Sequence, residues 1–111
     1  LEGVLNMDSE ISQIKEYNND LFVRTLSGKV YQLDMFLNLI KELPNLHNDL
    51  IFYKNFIVDW NDPQIKFIHL ESEDEEVIPL ENIRAIELKI MGNSFYFSTK
   101  YEIRVFEYYP D

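Results

Sequence analysis

The sequence predicts an α+β fold that is mainly β: an antiparallel sheet or small barrel of about eight short strands with one helix, over 34–43. Three observations carry this reading. Short β-branched and aromatic runs recur at about 8–12-residue spacing between turn residues. One stretch, opening at Asp34, has helical periodicity. No other helical stretch lies between the strands to act as a parallel crossover, so antiparallel pairing is expected. A length of 111 residues is that of one domain, and a hydrophobic share of 46% with eight Phe, seven Tyr and one Trp is enough to build a core. Residues 1–6 read as a remnant upstream of a start at Met7, with 7–111 as a single globular domain.

Each element follows from local pattern. Asp8 to Glu16 is polar around Ile11 and Ile14 and reads as a short strand or a helical turn. Leu21, Val23 and Thr25 alternate with Phe22, Arg24 and Leu26. Ser27-Gly28 interrupts, and Val30, Tyr31 and Leu33 follow, so two β-rich runs around a Ser-Gly pair make a hairpin. Asp34 suits a helix N-cap, because its carboxylate accepts the free N–H groups of a first turn. Phe36, Leu39, Ile40 and Leu43 then fall at i, i+3, i+4 and i+7, one apolar stripe, and Pro44 ends the helix. From Leu50 the pattern is strand after strand. Ile51 to Trp60 is β-branched and aromatic with a bulge at Lys54-Asn55, and Asn61-Asp62-Pro63 is a turn. Ile65 to Leu70, a polar turn at Ser72 to Glu75, and a return from Glu76 come next, broken by Pro79 to Asn82. Ile83 to Ile90 resumes the strand, with Ile86, Leu88 and Ile90 opposite Glu87 and Lys89. Gly92-Asn93 turns the chain, and Phe95 to Ser98 and Tyr101 to Tyr108 form a last pair.

Charge and composition exclude several functions. Twenty acidic residues against ten basic ones give a net charge of −10 and a pI near 4.5. Such a chain repels a phosphate backbone, so direct nucleic-acid binding is not expected, and anionic membranes are disfavoured for the same reason. Apolar runs of four or five residues are too short to span a bilayer. The absence of cysteine removes disulfides, thiol nucleophiles and thiolate metal sites, and a cytoplasmic location is expected. His47 and His69 stand in no triad or nucleophile-elbow spacing, and His69, alternating with Phe67 and Ile65, reads as a partly buried structural residue. Asp59, Asn61 and Asp62 resemble the opening of a calcium loop. Gln64 stands where that loop needs glycine, and Leu70 where it needs glutamate. His47 and Asp49 fall short of a zinc ligand set. Gly3, Gly28 and Gly92 are isolated, so no phosphate loop is present. The chain therefore reads as non-enzymatic, with no metal or cofactor.

What remains is surface. Glu71, Glu73, Asp74, Glu75 and Glu76 place five carboxylates in six residues, with Glu81 beyond them and no basic residue between Lys66 and Arg84. Like charges so close repel and must stay solvated, which puts the cluster on an exposed hairpin tip. Residues 1–56 carry five basic and eight acidic side chains, a net of −3; residues 57–111 carry five and twelve, a net of −7. The acidic face therefore belongs to the second half, with Asp59 and Asp62 beside the hairpin. Tyr96, Tyr108 and Tyr109 fall off the apolar alternation, and exposed tyrosines favour protein interfaces.

The run Asn19 to Asp34, with Phe56-Ile57-Val58-Asp59-Trp60 after it, resembles a family of small bacterial domains of unknown function, in which a hairpin leads through Asp into a short helix. The resemblance implies a compact α+β domain and no activity. The expected function is that of a small acidic protein-binding or inhibitory protein, of the bacterial or phage immunity or anti-defence kind, which blocks a basic, nuclease-like protein partner. The partner-binding residues would be Glu71, Glu73, Asp74, Glu75, Glu76, Asp59, Asp62, Tyr96, Tyr108 and Tyr109. The alternative is a non-catalytic accessory or structural domain, homo-oligomeric, whose acidity serves solubility.

Overall fold

Strand-forming runs separated by residues that tolerate a left-handed backbone fold here into antiparallel meanders. The computed structural model describes residues 3–61, 63–80 and 84–109. Among these there are eleven strands and no helix. The first sheet runs β1 (Ile11–Tyr17), β2 (Asp20–Thr25), β3 (Val30–Leu33) and β4 (Leu39–Leu43) in sequence order. The second runs β5 (Phe52–Tyr53), β6 (Phe56–Asn61), β7 (Gln64–His69) and β8 (Glu75–Pro79). The third holds β9 (Glu87–Met91), β10 (Ser94–Ser98) and β11 (Ile103–Glu107). Every pairing is antiparallel between strands consecutive in the chain.

The α+β expectation is thus corrected to all-β, and a single sheet or small barrel to three sheets. The helix over 34–43 does not form, and the α+β implication of the family resemblance falls with it. Asp34 does accept N–H groups, as an N-cap would: Phe36 N–H at 2.8 Å and Asn38 N–H at 2.9 Å, with the Asn38 side-chain amide at 3.0 Å. The same interaction also closes an Asx turn. Leu37 takes φ +66, the Asp34 N–H bonds back to the Asn38 carbonyl at 2.9 Å, and the chain reverses. Leu39–Leu43 then pairs with β3, Val30 facing Leu43 and Tyr31 facing Glu42. Of the helical stripe only Leu43 reaches the core; Phe36 is 71% exposed. The reading of Ile51 to Trp60 as one bulged strand also gives way. Lys54, at φ +52, turns the chain between β5 and β6. Asn18 and Asn19, both at positive φ, make the two-residue turn that settles β1 as a strand. Ile83, where a strand was expected to resume, lies outside the described residues; β9 is assigned from Glu87.

Two cores hold the sheets together. Phe22, Val30 and Leu43 of the first sheet, with Leu46 and Leu50, meet Ile57 and Ile68 of the second. Tyr53, Val58, Ile65 and Phe67 of the second meet Leu88, Phe95 and Phe97 of the third. The middle sheet is covered on both faces, so β6 buries Ile57, Val58 and Asp59 in succession and β7 buries Phe67 and Ile68, whereas β10, with one buried face, alternates. Aromatic rings fill the second core, with Tyr53 edge-on to Phe95 at 4.9 Å and Phe67 edge-on to Phe95 at 5.5 Å.

Gly28 is needed where the first sheet meets the 44–50 segment. Its φ is +93, its carbonyl accepts the Leu46 N–H at 2.9 Å, and an added Cβ would lie 2.6 Å from the Leu46 carbonyl oxygen. Gly28→Ala is expected to lower the stability by about 1–3 kcal/mol, whereas Gly92→Ala, with open space around φ +60, costs less. Denaturant midpoints at unchanged m-value measure both; equal shifts would refute the close approach. The Asp34 carboxyl is held below the usual carboxylate range, first by the Asn38 backbone N–H and then by its side-chain amide. A depressed folded pKa stabilises the turn above the unfolded pKa and loses that effect as pH falls through the folded value. Amide exchange at Phe36 and Asn38 should therefore quicken, relative to the rest of the first sheet, when Asp34 protonates.

Candidate protein-binding site

The acidic cluster occupies the β7–β8 turn, with Glu71, Glu73 and Asp74, and the start of β8, with Glu75 and Glu76, and His69 organises that turn. Its N–H donates to the Asp74 carbonyl and its carbonyl accepts the Glu73 N–H, both at 2.9 Å. Its Nδ1 accepts the Glu71 N–H at 3.2 Å and the Ser72 N–H at 3.4 Å, which leaves the ring proton on Nε2. The ring stands edge-on to Phe56 at 5.4 Å. His69 is thus the partly buried structural residue its alternation suggested. Lys41, from β4, donates to the Leu70 and Glu71 carbonyls and so ties the first sheet to the turn.

This framework leaves all five carboxylates exposed. Glu75 meets Lys66 at 3.7 Å, and Glu76 accepts the Tyr108 hydroxyl. Among the described residues Glu71, Glu73 and Asp74 form no ion pair. The structure also joins two surfaces far apart in the sequence, since the Tyr108–Glu76 hydrogen bond brings the C-terminal tyrosines to the acidic turn. Tyr108 is itself half-buried, its ring 4.2 Å from that of Phe67 and its carbonyl accepting the Tyr53 hydroxyl at 3.0 Å. It anchors the surface and is not a free contact residue. Tyr109 is exposed, and its hydroxyl donates to Glu107 at 2.7 Å; that hydrogen bond, and the charge behind it, raise the phenol above its ordinary pKa. Tyr96 lies half-buried on the outer face of the third sheet, away from the turn.

Asp62, like Glu81, lies outside the described residues, and one other expected residue does not take part. Asp59 is 2% exposed and faces inward. Its carboxylate accepts the His47 N–H at 3.0 and 3.1 Å, the Asn48 N–H at 3.2 Å and His47 Nδ1 at 2.9 Å. A carboxylate inside the otherwise apolar Phe56–Trp60 run is tolerated because these donors replace its water. It pins the 44–50 segment, beside which the Asn48 amide donates to the Trp60 carbonyl. One polar residue in a doubly buried strand, with a histidine in the preceding loop, was the sequence signal for this cradle. Among the described residues no group of three or more His, Asp or Glu side chains is placed to hold a metal ion. No described helix is long and apolar enough to cross a membrane, which says nothing of strands.

Asp59→Ala should cost about 2 kcal/mol, because it removes the shared acceptor of two part-buried backbone N–H groups, whereas His47→Ala, which keeps its backbone N–H and loses a largely exposed ring, should cost less. Chemical denaturation compares them. Equal losses would mean that the imidazole, and not the backbone cradle, carries the interaction.

Comparison with known proteins is sparse. No protein-family profile matches the chain, and no curated protein matches it. Its fold is similar to that of one chain in a solved structure from S. cerevisiae, a dbp5 variant bound to nup159, a gle1 variant, IP6 and ADP. The TM-score is 0.59 at 10% identity, over 92% of this chain and 32% of that one. This chain therefore spans about a third of the length of that chain, and what the two share is a fold.

Proposed function

We propose that this chain is a non-catalytic protein-binding domain that presents the β7–β8 turn to a basic partner. The observation that carries the reading is the build of that hairpin end: five exposed carboxylates, three in the turn and two at the start of β8, on a backbone held by His69 and Lys41. Exposed like charges focus a negative potential and raise the rate of encounter with a cationic surface. Tyr109 and the rim of Tyr108 supply aromatic area beside them. The narrower form of the proposal is an inhibitor of the immunity or anti-defence type, whose carboxylates imitate phosphates in a basic, nuclease-like groove.

Replacing Glu73, Asp74, Glu75 and Glu76 with Ser should leave the fold intact and slow association with a lysine-rich peptide by about tenfold or more at low salt. The difference should shrink as salt rises. A peptide that binds both proteins at the same rate would remove the turn from consideration.

A second reading, a structural domain of a homo-oligomer, is favoured by the outer face of the third sheet. Ile103 is 77% and Val105 57% exposed there, with Met91 65% exposed on β9, and this sheet has three assigned strands where the others have four. A second copy packing on that face would bury it as the middle sheet is buried. Light scattering of the wild type and of Val105→Glu separates the readings: a dimer lost in the variant supports the oligomer, and a monomer in both excludes it.

A further inference from the structure

A cavity of about 420 Å³ lies between β1, the segment leading into β5, and β9. That volume lies within the range of small-molecule sites, about 300–1,000 Å³. In a chain with twice as many acids as bases, its walls are nonetheless rich in cations: Lys15, Arg24 and Lys89, with His47 at the rim. His47 is engaged by Asp59, and Lys89 meets Glu87 at 3.3 Å. Lys15 and Arg24 are different. Among the described residues neither forms an ion pair. Lys15 Nζ reaches the Leu50 carbonyl at 3.5 Å. The Arg24 guanidinium donates only to neutral acceptors, Ser12 Oγ at 3.1 Å and the Leu46 carbonyl at 3.4 Å, and its Nε–H is buried with no partner.

The two cations belong to one constellation. Gln13 pairs with Arg24 across β1 and β2, and Lys15 follows two residues later on the same face. The Gln13 Oε1 accepts the Leu50 N–H at 2.6 Å, so its Nε2 amide remains a donor. Guanidinium, ammonium and amide donors thus line one wall, while Trp60 and Leu88 supply apolar area opposite. Cationic and amide donors that line a cavity without a carboxylate partner are matched by an anion, since charge-assisted hydrogen bonds are the strong ones. We infer that this cavity binds the carboxylate of a small organic acid, held by Lys15, Arg24 and Gln13, with its apolar body against Trp60. A monoanion is favoured over a phosphate dianion because Asp49 and Glu87 also line the cavity and the chain carries −10 overall. The site is independent of the acidic turn.

Trp60 is the only tryptophan, so its fluorescence reports occupancy directly. Titrating the protein with butyrate, with inorganic phosphate and with potassium chloride at matched ionic strength should give a saturable change with butyrate, a weaker one with phosphate and none with chloride. Lys15→Gln removes an exposed ammonium and should weaken butyrate binding by about tenfold while the circular dichroism and melting temperature hold. Arg24→Lys should weaken it further, with the fold checked in the same way. No saturable response to butyrate, an unchanged affinity in Lys15→Gln, or phosphate binding tighter than butyrate would overturn the assignment.

Discussion

A sheet covered on both faces cannot leave a polar group without a partner, and β5–β8 is such a sheet. Phe22, Val30 and Leu43 press on one side of it, Leu88, Phe95 and Phe97 on the other. Burying apolar side chains on both sides at about 25 cal/mol per Å² is the main favourable term available to a chain of this length. The same burial explains why Asp59 is bound so fully: a carboxylate placed there must recover from protein donors what it loses from water. Its donors come from the 44–50 segment, so one requirement of the middle sheet also fixes the path of the link from β4 to β5.

Charge is distributed by the same constraint. Carboxylates that no donor surrounds are pushed to the surface, where water screens their repulsion, and the β7–β8 turn with the start of β8 holds five of them. Three cations, by contrast, reach back to backbone carbonyls. Lys41 reaches the Leu70 and Glu71 carbonyls, Lys15 the Leu50 carbonyl, and Arg24 the Leu46 carbonyl. Long basic side chains lay their apolar stems along the core and carry donors to loop carbonyls that would otherwise be unpaired. An acidic exterior and a locally basic cavity are therefore compatible in one small chain.

The stretch from Asp34 to Leu43 shows how local pattern misleads. Both features that predict a helix there are real: a capping carboxylate and an i, i+3, i+4, i+7 apolar set. Neither is specific to helices. Asp34 binds the N–H groups of Phe36 and Asn38 within a turn as well as it would cap a helix. The deciding demand comes from β3, whose free edge takes a strand partner in β4. Tertiary pairing outweighs a helix propensity worth a few tenths of a kcal/mol per residue.

Much of the local structure was written in short-range chemistry. The Ser27-Gly28 and Gly92-Asn93 turns, the antiparallel pairing and the exposed tip at 71–76 all depend on residues near in sequence, and each could be read before any coordinates. The acidity of that tip follows from composition alone. Tertiary structure decided what long-range packing controls: that the strands divide into three sheets, that Asp59 is a buried brace and no surface charge, and that Tyr108 leans on Phe67 while touching Glu76. It also decided that Lys15, Arg24 and Trp60 share one cavity. The reason is the same in each case. A strand's pattern says which face is apolar, but what covers that face is chosen by residues tens of positions away.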